Sequence, residues 1–170
     1  MTWRQITRYP FAGAVRLELT SERPARFSLR LRVPAWSENF SLQLNGETLA
    51  SVSRADGFAI IDREWRNGDV VEVDFPLPVR MHRRTHLNIQ ESRAPDGTPV
   101  AQEVMHLDYV AFTRGPLVYA SGLIDGYKTE ETIREPEVAQ VRVAVDAANG
   151  IPRLEVPVAG RAPLNLEPYY

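Results

Sequence analysis

Apolar residues recur at every second position along most of this chain, and that spacing constrains the fold more than any other feature of the sequence. Val15, Leu17 and Leu19 share one face of an extended segment. Phe27, Leu29, Leu31 and Val33 do the same in the next, with Ser28, Arg30 and Arg32 turned the other way. Successive side chains of a strand leave on opposite faces, so each segment predicts a strand with one buried side. Leu42 and Leu44 lead into Asn45-Gly46, and Trp65 leads through Asn67-Gly68 into Val71, Val73 and Phe75. Asn-Gly favours positive φ at both central positions of a tight turn, so both pairs are predicted to close β-hairpins. Val110, Phe112, Leu117 and Tyr119 predict a strand pair or one interrupted strand. Three more strands are predicted around Val141, Val143 and Val145, around Leu154, Val156 and Val158, and at Leu164 and Leu166.

Pro34, Pro76, Pro78, Pro157 and Pro163 stand at predicted strand ends, where a missing N–H breaks no central ladder bond. No long amphipathic helix is visible; only Thr129 to Arg134 (TEETIR) has helical composition, enough for a turn or two. The expected fold is therefore all-β, an antiparallel, jelly-roll-like β-sandwich of about eight to eleven short strands with long loops and little helix. Two segments break the rhythm, residues 81–105, which contain RAPDGTP, and residues 122–136. Both are expected to be long loops, and loops beyond about 12 to 15 residues are usually functional or partner-facing.

With 170 residues, 44% of them hydrophobic, the chain has enough material for a core that buries roughly 70% of the unfolded surface. A net charge of −2 argues against a nucleic-acid binder, which concentrates basic charge on one face. No run approaches the roughly 18 to 20 apolar residues that span a bilayer, and MTWRQITRYPF is not built like a secretion signal. The chain is expected to be soluble, with no membrane partner. Its compartment is open: a parent protein in the cytoplasm, the periplasm or outside the cell fits equally. The absence of cysteine excludes disulfides, thiolate nucleophiles and cysteine-built zinc sites.

His82, His86 and His106 lie near Glu91, Glu103 and Asp108 in sequence, but no HExxH-like frame joins them, and solvated loop histidines are the plainer reading. Arg80, Arg83 and Arg84 form the densest basic patch, suited to phosphate or an acidic surface, or else to a solvated or interdomain-facing loop. Asp56, Asp69 and Asp125 each sit beside a glycine, as turn aspartates do. Among the 22 carboxylates no pair is singled out for acid–base work. Trp3, Trp36, Trp65, Tyr169 and Tyr170 offer flat faces to sugar rings. Trp36 and Trp65 close patterned strands and also suit the ends of a core, while Trp3, Tyr169 and Tyr170 sit near the termini, where a neighbouring domain would cover them. In Asp108 to Tyr119 (DYVAFTRGPLVY), Gly115-Pro116 predicts a sharp bend or bulge with Arg114 at its corner, holding nearby groups or docking a neighbour.

Taken in order, YPFAG (Tyr9 to Gly13), FSLRLRVPAW (Phe27 to Trp36), LQLNG (Leu42 to Gly46), REWRNGDVVEVDFPLPVR (Arg63 to Arg80) and VAFTRGPLVYA (Val110 to Ala120) resemble one family. It is the β-L-arabinofuranosidase family of glycoside hydrolases, long known as a domain of unknown function, and within it the C-terminal β-sandwich region downstream of the catalytic domain. The resemblance implies a parent with an (α/α) barrel that cleaves arabinofuranosides with retention, using a zinc-held cysteine nucleophile and glutamates. None of those positions exists here. Ala12 stands where the family commonly has an acidic residue, and the stretch from Met81 to Asp108 is longer than usual. Residues 1–12 are expected to lead in from a missing upstream catalytic domain, and 13–170 to form an accessory β-sandwich truncated at its C-terminus.

The expected function is thus a non-catalytic accessory β-sandwich of a glycoside hydrolase, stabilising or walling the catalytic barrel. A stand-alone carbohydrate-binding module and an interaction or assembly module that self-associates are the alternatives. No catalytic, cofactor or metal residue is assigned, and zinc is implied only for the missing catalytic domain. Trp3, Trp36, Arg80, Arg83, Arg114, Tyr169 and Tyr170 are the residues expected to touch an oligosaccharide or that domain.

Overall fold

The computed structural model describes residues 1–37, 39–50, 53–88, 91–101, 105–121, 138–157, 160 and 162–169. These residues are all-β apart from one 3-10 turn, and they divide into two compact units.

Unit one comprises Met1–Pro78 with Gly115–Leu117. Its strands are β1 (Thr2–Thr7), β2 (Ala14–Thr20), β3 (Ala25–Arg32), β4 (Ser41–Leu44), β5 (Glu47–Thr48), β6 (Ser53–Ala55), β7 (Phe58–Trp65) and β8 (Val70–Asp74). One antiparallel sheet runs in the order β1-β2-β8-β4-β5 and a second in the order β3-β7-β6. The chain alternates between sheets from β2 to β3 to β4 and again from β7 to β8, the jelly-roll pattern. Register explains the core: Leu17 and Leu44 both lie opposite Val71, and Val15 and Leu42 both lie opposite Val73. Leu19, Leu42, Val71, Val73 and Phe75 meet Ile61 and Trp65 of the other sheet, with Phe27, Leu29 and Leu31 packed against them. The alternation in the sequence is this interior.

The two Asn-Gly pairs part company. Asn45 and Gly46 adopt φ of +52° and +83°, with Leu44 opposite Glu47, and close the expected hairpin between β4 and β5. Asn67-Gly68 closes none, because β7 and β8 belong to different sheets. Its backbone docks on β2 instead: Gly68 N donates to Leu19 O and Leu19 N to Asp69 O, each at 2.9 Å. A hairpin that the expectation missed is Asp56-Gly57, where Ala55 lies opposite Phe58 and φ is +52° and +77°.

Asp69 ties these turns together. Its carboxylate accepts from Arg66 N at 2.7 Å and from Asn45 Nδ2 at 2.8 Å, while Asn45 Oδ1 accepts from Val70 N at 2.8 Å. Burial disfavours the charged form, but the bonds from Asn45 and Arg66 and the charges of Arg63 and Arg66 outweigh it and hold the pKa below the ordinary value. A folded pKa below the unfolded one gives stability that is fully present above the unfolded value, about 3.9, and is lost as pH falls through the folded pKa. Asp69→Ala is therefore expected to lower stability by about 2 kcal/mol at neutral pH. Urea titrations should show the gap between wild type and variant narrowing as the acid range is entered, and a gap independent of pH would refute the role of the charge.

Unit two comprises Val79–Arg114 and Val118–Tyr170. Its elements are β9 (Val79–Asn88), β10 (Glu91–Arg93), β11 (Pro99–Ala101), β12 (Met105–Arg114), β13 (Leu117–Ala120), the 3-10 turn η1 (Val138–Gln140), β14 (Arg142–Val145), β15 (Pro152–Val156) and β16 (Leu164–Tyr169). A six-stranded sheet runs β14-β15-β16-β13-β12-β9, and β10 pairs with β11 alone. Among its described residues, Phe112, Tyr119, Pro152, Leu154, Val156 and Leu166 are buried.

The expected loop at 81–105 is mostly strand. β9 and β12 pair along their full lengths, from Arg114 opposite Val79 to Met105 opposite Asn88, with the β10–β11 hairpin between them in sequence. Met81-His82-Arg83-Arg84-Thr85-His86 hides the period of two because β9 lies last in the sheet order, and edge strands tolerate charge on both faces. The other expected loop, 122–136, with TEETIR and Asp125, lies outside the described residues. Among the described residues no helix is long and apolar enough to cross a membrane.

Candidate functional site

Strand geometry separates the residues singled out in the sequence. Trp3, on β1 opposite Leu19, is half-buried and meets Trp65 edge-on, with ring centroids 5.3 Å apart at 82°. Trp36 follows β3 and meets Phe75 at 6.2 Å and 65°. On β9, alternation puts Arg80 and Arg84 on one face and Arg83 on the other, so the basic run is not one patch. Arg80 lies opposite Thr113, whose Oγ1 is 2.9 Å from His82 Nε2, and Arg83 lies opposite Val110. The side chains of His86, Glu91, His106 and Asp108, and residues Glu103 and Tyr170, lie outside what is described.

Arg114 ends β12, and the two-residue turn Gly115-Pro116 joins β12 to its neighbour β13. The break in the sequence is thus a hairpin turn between adjacent strands. Gly115 has φ +57°, which favours glycine; a Cβ there would come within 2.5 Å of Leu77 Cδ2, a side-chain end that would have to shift. Burial raises the pKa of the Tyr119 phenol; Arg114 opposes this from nearby, although among the described residues Tyr119 Oη makes no hydrogen bond of ordinary geometry.

Two of the expected contact residues come onto one surface of unit two. Tyr169, 77% exposed, lies opposite Val118 on β13. The short turn sets Val118 beside Thr113 on β12, which faces Arg80 on β9. A row of Tyr169, Val118, Thr113 and Arg80 therefore crosses four strands. Arg83 and Arg114 have the opposite parity and do not join it.

A further feature is a cleft in unit one that the sequence did not reveal. It has a volume of about 580 Å³ and runs from Gln5, Tyr9 and Arg32 at its rim past Leu31, Pro34 and Trp36 to Val15, Leu17, Val73 and Phe75. Its aromatic wall is a cluster centred on Phe75, with Tyr9 at 6.4 Å, Trp36 at 6.2 Å and Phe40 at 6.0 Å. Gln5, Tyr9, Arg32 and the indole N–H of Trp36 supply the side-chain polar groups of a wall whose other side chains are apolar. Among the described residues no three His, Asp or Glu side chains gather as a metal set would.

Residues 1–77 match the family model described as the middle domain of GH127 β-L-arabinofuranosidases. Three solved structures align with 99% of the chain. One is a GH127 β-L-arabinofuranosidase from Geobacillus stearothermophilus T6, with a TM-score of 0.66 and 24% identity over 28% of its own length. A protein described as a glycoside hydrolase has a TM-score of 0.61 and 26% identity over 29% of its length. A further GH127 β-arabinofuranosidase has a TM-score of 0.61 and 25% identity over 29% of its length. The chain thus spans under a third of each of these proteins. No curated protein matches it significantly. The motifs suggested a C-terminal region of the family; the match over residues 1–77 is to a middle domain.

Proposed function

We propose that this chain is a non-catalytic β-sandwich domain of a glycoside hydrolase, acting on the catalytic part of the same polypeptide by stabilising it and walling its cleft. The observation that carries the reading is the match of residues 1–77 to a middle domain, in a chain that aligns along 99% of its length with under a third of arabinofuranosidase structures. In this reading the parent is a retaining β-L-arabinofuranosidase, and its zinc and thiolate nucleophile belong to the catalytic part. The donor chemistry here does not fit that metal site: a cysteine-built zinc centre needs thiolates, and the chain contains no cysteine.

The reading makes a two-part prediction. Purified, the chain releases no product from an aryl β-L-arabinofuranoside above the buffer rate; turnover that persists through purification would overturn the reading. Added to the separately expressed remainder of the parent, the chain raises that fragment's stability by about 2.7 kcal/mol at a hundredfold excess over Kd. Superimposable melting curves with and without it would show that it supports nothing.

A further inference from the structure

We infer that the cleft at Trp36 seats an apolar segment of the parent's catalytic part, with a carboxylate or carbonyl of that segment held at Arg32. This rests on the accessory role proposed above and names the surface and the chemistry through which it would act.

Size is the first argument. This cleft is open to solvent, has a volume of about 580 Å³ within the range of ligand-binding clefts, and reaches Val73, itself only 4% exposed. Its deep walls are Val15, Leu17, Leu31, Val73 and Phe75, all aliphatic or aromatic. Water gains little on such surface, and covering it is favourable in proportion to the area removed.

Polarity decides what covers it. A sugar presents hydroxyls around its whole ring, and each one buried without a partner is penalised. Side-chain partners are Gln5, Tyr9, Arg32 and the indole N–H of Trp36, and none comes from the deep walls Val15, Leu17, Leu31, Val73 and Phe75, so a sugar pushed to the depth of Val73 would leave hydroxyls unpaired. Leucine, phenylalanine or proline side chains fill that depth with no such penalty. The charged group on the cleft wall is the cation of Arg32, the last residue of β3, which is exposed and complementary to an acidic or carbonyl group on the incoming segment. More than two thirds of each matched arabinofuranosidase lies outside the region this chain covers, ample polypeptide to provide the segment.

The test uses the lack of cysteine. Gln5→Cys, at the rim, carries a single environment-sensitive dye, with Ser28→Cys, on the outward face of β3, as the control. The separately expressed remainder of the parent is then added. A blue shift at position 5 and none at position 28, together with an affinity at least tenfold weaker for Ala35→Arg, is the expected result. Ala35 is exposed at the rim, so its replacement leaves the core intact. Leu31→Asp is the second variant, and retained circular dichroism certifies its fold.

Association that ignores both variants would overturn the socket and leave the accessory role standing. No association at all would remove both. A shift of the dye at position 5 with millimolar arabinan fragments would assign the cleft to carbohydrate instead. Sedimentation of the chain alone as a dimer that Ala35→Arg dissociates would assign it to a second copy.

Discussion

Trp65→Ala is expected to lower stability by about 4 kcal/mol, the range for emptying a fully buried tryptophan site. Trp65 is 0% exposed. Its ring stacks on Phe27 at 5.6 Å and 25°, takes the edge of Trp3 at 5.3 Å, and lies beneath the Arg63 guanidinium at 5.3 Å. Its Nε1 donates to Phe27 O at 3.0 Å, so the substitution leaves a cavity and loses that bond together. Arg63 also lies 3.7 Å from the Asp69 carboxylate, which couples the tryptophan to the turn that carries the chain from one sheet to the other. Trp65→Phe keeps much of the volume and loses the N–H, and should lose about 1 to 2 kcal/mol. Urea unfolding measures both. A loss below about 1 kcal/mol for the alanine variant would mean that unit one does not depend on this core residue.

The legible parts of the fold are those where a local signal carries the whole answer. Leu17, Leu19, Leu29, Leu31, Val71 and Val73 alternate because one face of each strand is interior, and Asn45-Gly46 closes a hairpin because both positions adopt positive φ. Asn67-Gly68 has the same chemistry and a different outcome. A turn sequence fixes the bend but not the sheet that the next strand joins, and here the hydrogen bonds to Leu19 and the carboxylate of Asp69 decide that. β9 was illegible for the opposite reason, since an edge strand carrying Arg80, His82, Arg83 and Arg84 needs no apolar alternation to be held by its partner.

The site was less legible than the fold. Trp36 was visible as an aromatic at a strand end, but the cleft it lines draws on Gln5, Arg32 and Phe75, which are far apart in sequence and meet only through strand order. The row from Tyr169 to Arg80 likewise depends on register across four strands, which no single segment encodes. Both signals lie in the pairing, and the pairing follows from where the core residues go.

Gly13→Ala is expected to destabilise the chain by about 3 kcal/mol or more, although the exchange adds one methyl group. A Cβ at Gly13 would lie 1.9 Å from Phe75 O and 2.8 Å from Phe75 C. Those atoms are backbone and no rotamer change relieves them, so the strands must move apart. Movement there strains the Phe75 N to Gly13 O hydrogen bond of 3.2 Å, just beyond the pairing of Ala14 with Asp74. It also displaces Phe75, the ring on which Tyr9, Trp36 and Phe40 converge, and with it the wall of the cleft. Gly46→Ala is the contrasting variant. Gly46 has φ +83° but nothing within 4 Å of its added carbon, so its substitution should lose only the strain of a left-handed alanine, about 1 to 2 kcal/mol. Gly13 is required for space and Gly46 for conformation. Equal losses in the two variants, or a rim dye at Gln5→Cys that does not register the Gly13 substitution, would show that the close approach to Phe75 does not shape the cleft.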